Sequence, residues 1–115
     1  MRDLGELKLR IRDFVAERDW DRFHSPKNLA MALSVEASEL VELFQWLTEE
    51  ESASPDAERK RRAAEELADV LWFLVRIADR LDIDLLEAAD TKITANAKKY
   101  PAARVRGQSR KYDQY

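Results

Sequence analysis

Glu36 and Glu39 lie three residues apart, and so do Glu66 and Asp69. On an α-helix that spacing puts both carboxylates of a pair on one face, about 60° apart. At about 100° per residue, Leu29, Leu33, Leu40, Leu43, Phe44 and Leu47 fall within about 60° of one line, and Glu36 lies in the middle of that apolar stripe. A carboxylate so placed must be paired, hydrogen-bonded or metal-bound. One E-x-x-E pair is ordinary on a solvated helix face. Two pairs, one mid-stripe and one inside an apolar run, are better read as a single four-carboxylate site. Glu42, about 140° from the stripe centre, serves as an internal control and reads as plain surface.

Such a site points to metal chemistry. All four groups are oxygen ligands, and there is neither a Cys nor a His among them, so a hard cation such as Mg²⁺ or Mn²⁺ suits them. Mg²⁺ typically bridges carboxylates to phosphates, which makes a phosphate-bearing substrate the economical inference. The ion would offset polyphosphate charge and acidify a water for in-line attack on phosphorus. Glu39, at the stripe's edge, is the candidate general base. Cations and aromatic faces should complete the site. Lys92, Asn96 and Tyr100 recur every four residues, and Trp20, His24 and Trp46 flank the helix that carries Glu36.

The elements that must hold these residues are helices. Leu4, Leu7, Leu9, Ile11, Phe14 and Val15 predict a first amphipathic helix to about Glu17. A connector, Arg18 to Pro26, holds Trp20, Phe23 and His24. Ser25-Pro26 is a start signal for a second helix running to about Leu47. Glu49 to Asp56 reads as a loop. A third helix follows from about Pro55 to about Leu81, charged at first and then apolar on every side, with only Asp69 and Arg76 charged between Leu67 and Ala78. Arg59 to Arg62 should form a solvated face paired with Glu65 and Glu66. Asp84 and Glu87 cap a fourth helix that Pro101 ends. From Ala102 the chain is a basic arm (102–115) with Arg104, Arg106, Arg110 and Lys111. The expectation is an all-α, four-helix antiparallel bundle-like protomer, with a second copy covering Leu71 to Val75, so that the chain works as a homodimer or homotetramer.

Composition narrows the rest. The 115 residues suffice for one domain, with 2 Gly favouring helix and 20 Lys plus Arg against 23 Asp plus Glu offering no signature for a nucleic-acid polymer. Asp3 and Glu6 interrupt any signal peptide, and the apolar run from Val70 to Val75 is far short of the ~20 residues that cross a bilayer. A soluble cytoplasmic protein without membrane partners is expected. A carboxylate-bridged di-iron bundle would need Glu-x-x-His motifs, whereas the one His precedes the second helix. A non-catalytic helical interaction module is the alternative to an enzyme.

Several separated motifs in order carry a resemblance. Asp19-Trp20, Phe23-His24, Pro26, Asn28-Leu29, Glu36-x-x-Glu39-x-x-Glu42-x-x-Gln45-Trp46, Glu66-x-x-Asp69, Lys92, Asn96 and Tyr100-Pro101 resemble the MazG-like nucleotide pyrophosphohydrolases, closest to the dCTP pyrophosphatase branch, over about residues 6 to 112. The resemblance implies an all-α enzyme that splits a (d)NTP between the α and β phosphates, in dimers or tetramers, as part of nucleotide-pool sanitation. By position it implies Mg²⁺ on Glu36, Glu39, Glu66 and Asp69. It also implies a base and sugar pocket at Trp20, His24 and Trp46, with Lys92, Asn96 and Tyr100 on the phosphates or sugar. Two departures stand out. Val35 precedes Glu36 where MazG proper has a Glu doublet, and Phe73 stands near the nucleotide where vertebrate members have Tyr.

Overall fold

Each long helix begins where a side chain can take up a free backbone N–H. In the computed structural model, which describes residues 1–109, α1 (Leu4–Glu17) starts at Asp3, whose carboxylate accepts from the Glu6 amide at 2.8 Å. The second helix, α2 (Pro26–Glu42), has Ser25 as N-cap and Pro26 in its first turn, as the sequence predicts. Helix α4 (Ala57–Arg80) is capped by Asp56 rather than at Ser54-Pro55, and α5 (Leu85–Lys99) by Asp84, which accepts from the Glu87 amide. Two short helices, α3 (Glu49–Ala53) and α6 (Ala102–Val105), complete the set, with one 3₁₀ turn at Asp21–Phe23. Among the described residues there is no strand.

Three boundaries differ from expectation. The second helix stops at Glu42 and unwinds through tight turns, with Phe44 and Gln45 amides both reaching the Val41 carbonyl. The apolar stripe continues to Leu47, but the 3.6-residue repeat does not. The acidic loop contains α3, because Thr48 and Glu51 form a reciprocal capping box. The arm opens with α6; its Arg110 and Lys111 lie outside the described residues.

The chain divides into two compact units, residues 1–82 and the part from Ile83 onward. In the first, α4 packs along α2 and against α1. Its core is Ile11 and Val15 from α1, Leu29 from α2, Leu43, and Ala63, Val75 and Ala78 from α4. Burial of Leu29 alone contributes about 2 kcal/mol. The apolar half of α4 is covered on one side only. Leu67, Leu71 and Leu74, at i, i+4 and i+7, remain 54%, 40% and 39% exposed, because α1 and α2 are too few neighbours to surround it. The second unit consists of α5 and α6, and Leu86 and Ile93 on α5 are exposed.

Candidate metal centre and aromatic recess

The close pairing of α2 with α4 brings the two carboxylate pairs to one seam. Glu36, Glu39 and Glu66 each offer an oxygen that lies within 4.8 Å of the others. Asp69, one turn beyond Glu66 and exposed, stands outside that trio, but its charge acts on both Glu36 and Glu66. Glu42 is exposed, as its helical angle requires.

Like charges at such range resist ionisation. Burial, followed by a hydrogen bond to Glu39 and the charges of Glu39, Asp69 and Glu66, pushes the Glu36 carboxyl up to about 7. Glu66 is raised too, first by burial and then by Glu39. The expected pairing of Glu66 with the arginine run is absent among the described residues. Arg61 instead reaches Glu58 and Glu65, both at 2.6 Å, along the solvated side of α4. One oxygen of Glu36 and one of Glu66, both Oε2, are buried without a hydrogen-bond partner. Buried carboxylate oxygens without donors are costly. A hard divalent cation would satisfy both at once, so the residues present fit such an ion.

A second grouping forms around the connector. The last turn of α1 closes in a Schellman arrangement: the Asp19 amide reaches the Ala16 carbonyl and the Trp20 amide reaches Val15. Asp19 takes the left-handed conformation this needs, with φ of 53°. The turn sends Trp20 back beside α1, where its ring meets Phe14 edge-on at 5.7 Å. Trp72 of α4 contacts Phe14 and His24 at 6.2 and 5.9 Å, and Phe73 contacts Trp72 at 5.1 Å. Trp20 and His24 are therefore brought together, and Phe73 adjoins them. Trp46 is not part of this group: it sits in the turns after α2, 87% exposed.

Behind the rings lies an ion-pair network that sequence reading missed. Arg76, 4% exposed, donates from Nε to His24 Nδ1 at 3.1 Å and from Nη2 to Asp21 at 2.7 Å. Arg80 adds bonds to Asp21 and to the His24 carbonyl, and Arg12 holds Asp79 in a bidentate pair at 2.6 and 2.7 Å. Burial and then the Arg76 charge lower the His24 pKa. A cleft of about 340 Å³ opens here, lined among others by Arg12, Asp21, Arg76 and Asp79. Each of its arginines is already in contact with an aspartate. The one available signal was Arg76 itself, a cation in an otherwise apolar helical run.

Lys92 and Asn96 are exposed on α5, and Tyr100 follows at its C-cap, where its amide donates to the Asn96 carbonyl. They belong to the second unit.

The MazG-like family model matches residues 31–114. The chain belongs to the MazG-like family. This MazG-like chain is 47% identical to dCTP pyrophosphatase 1 of Homo sapiens and 46% identical to that of Rattus norvegicus, each over 111 residues. In both cases the match takes in 95% of this chain and 65% of the relative, so the chain spans just under two thirds of their length. A pyrophosphatase from Archaeoglobus fulgidus, known from its crystal structure, superposes with a TM-score of 0.81 at 40% identity. The superposition covers 84% of this MazG-like chain and 91% of that one. No helix among the described residues is long and apolar enough to cross a membrane.

Proposed function

We propose that the chain is a Mg²⁺-dependent nucleoside triphosphate pyrophosphatase. It cleaves a (d)NTP, dCTP or a modified dCTP by preference, into the monophosphate and pyrophosphate. The carrying observation is the trio Glu36, Glu39 and Glu66 with two donorless buried oxygens, and likeness to the dCTP pyrophosphatases supplies the substrate class. Glu36, Glu39, Glu66 and Asp69 hold the ion; Mn²⁺ suits the same oxygens. When bound, the ion offsets charge on the triphosphate and makes water a better nucleophile. Glu39 takes the proton from the attacking water as the α–β bond opens in line. Trp20, His24, Trp46 and Phe73 receive the nucleoside, and Lys92, Asn96 and Tyr100 contact phosphate or sugar. The whole of residues 1–115 acts as one domain in the cytoplasm. Copies pair over Leu67, Leu71 and Leu74 into a homodimer or homotetramer.

The test is pyrophosphate and dCMP release from dCTP with Mg²⁺ and with EDTA. Release that requires the metal is expected. Absence of release from every dNTP would sink the enzyme reading and leave a helical interaction module.

A further inference from the structure

His24 is the single histidine of the chain, and its ring proton is assigned by a neighbour. A guanidinium donates hydrogen bonds and accepts none. The bond from Arg76 Nε therefore requires a lone pair on His24 Nδ1. In the neutral ring the proton then resides on Nε2, which has no hydrogen-bond partner among the described residues. Trp20 and Trp72 both stand edge-on to the imidazole, at 6.5 and 5.9 Å. Arg76 is itself immobilised, with Asp21 at 2.7 Å and Asp79 at 3.7 Å. Burying a guanidinium among apolar residues is costly unless it is paired, and here the pairing orients Nε at the imidazole.

We propose that Arg76 is a positioning residue that holds His24 as its Nε2–H tautomer, so that the ring offers a hydrogen-bond donor to an uncharged acceptor oxygen of the bound nucleoside. The inference rests on reading His24 as part of the nucleoside pocket. Burial disfavours the imidazolium most, Arg76 and Arg80 add to that, and Asp21 opposes it. A neutral donor suits a base carbonyl or a sugar oxygen better than a phosphate, which a cation would serve. Arg76 lies seven residues, two turns or about 10.5 Å of rise, beyond Asp69 on the same helix. One rigid element thus sets both the carboxylate seam and the tautomer of the pocket residue.

With one histidine, ¹⁵N-histidine labelling yields a single pair of ring resonances, so the tautomer can be read in the unmutated chain. The Nε2–H form is expected; an Nδ1–H ring or an even mixture overturns the proposal. Arg76→Met keeps bulk and removes the donor. It should mix the tautomers and raise KM for dCTP about tenfold, with kcat changed by less than about threefold. Arg76→Gln places an amide N–H at the chain position of Nε and should restore both tautomer and KM to within about threefold, which a purely charge-based or packing role would not do. If Arg76→Met fails to fold, the unmutated spectrum and Arg76→Gln still decide. Analogues with a 2-thio base or a 3′-deoxy sugar separate the two acceptor sources, since the one that loses the atom becomes insensitive to Arg76→Met. Insensitivity of KM to Arg76→Met in all of them overturns the ligand half. Should the enzyme hydrolyse no dNTP, the pocket reading falls, while the spectrum still rules on Arg76 and His24.

Discussion

The helix that carries Glu66 also carries Arg76 and Asp79, and the charges at these two places are satisfied in opposite ways. Around Glu66 the partners are Glu36, Glu39 and Asp69, all of one sign, with two oxygens left without donors. Around Arg76 and Asp79 the contacts join opposite charges: Arg12 meets Asp79, Arg76 and Arg80 share Asp21, and Arg76 also reaches His24. The first arrangement is unfavourable alone and gains from a cation; the second is held by attraction among its own groups and adds fixity. Perturbed charge in a fold therefore marks a ligand site when the partners repel, and a structural tie when they match.

The largest effect should follow from breaking the repelling group. Glu39→Gln or Asp69→Asn is expected to lower pyrophosphate release roughly 10³-fold or more, while the metal-free protein melts no lower than before, because a repulsion has been removed. Full turnover in either variant would end the metal-site reading. The matched group should respond the other way. Asp79→Ala removes the bidentate partner of Arg12 and the weaker 3.7 Å contact of Arg76, and should lower the urea midpoint of unfolding, with Mg²⁺ affinity intact. A stability loss near zero would mean that the network is ornamental.

The two groups also predict opposite pH slopes. The Glu36 carboxyl is raised to about 7 in the folded chain, so between about 4.5 and 7 the folded state binds a proton that the unfolded state does not. Metal-free stability should therefore fall as pH rises through that window. Saturating Mg²⁺ should reverse the fall, and Glu36→Gln should flatten it; melting curves with EDTA and with Mg²⁺ at several pH values read both. Asp79 is held below its ordinary value by the Arg12 bond. Its contribution is present above the unfolded aspartate pKa and lost as pH drops through the folded one. The smallest effect belongs to the exposed pairs. Arg61→Ala removes two 2.6 Å contacts yet should move the melting temperature by less than about 3 °C, since solvent screens such pairs. A larger shift would show that distance alone measures their worth.

Local signals in the sequence told most of the fold. Ser25-Pro26 and Asp84 with Glu87 marked starts that the structure repeats, and the angular position of Glu36 among leucines foretold a half-buried carboxylate with one oxygen shut off from solvent. The Thr48-x-x-Glu51 box was equally local but was masked by its acidic surroundings, which read as loop. The end of α2 was misjudged because apolar periodicity reports burial and not hydrogen bonding, so Leu43 to Leu47 passed for helix. The bonds of Arg76 to Asp21 and His24 span more than fifty residues. They follow from how α4 lies against the connector, which no helical repeat encodes. Phe14 joining Trp20 and Trp72 was hidden for the same reason.

Trp46, Trp20 and Trp72 sit at three depths, the first almost wholly in solvent, the second 42% exposed, the third half-buried against other rings. That spread gives the chain an internal optical scale. Trp46 should emit at long wavelength and yield readily to iodide, whereas Trp72 should emit further to the blue and resist it. A nucleotide settling among the rings would dim or shift the blue component. Ordering of the turns after α2 would instead shield the red one from quencher, so the two events can be watched separately in one cuvette.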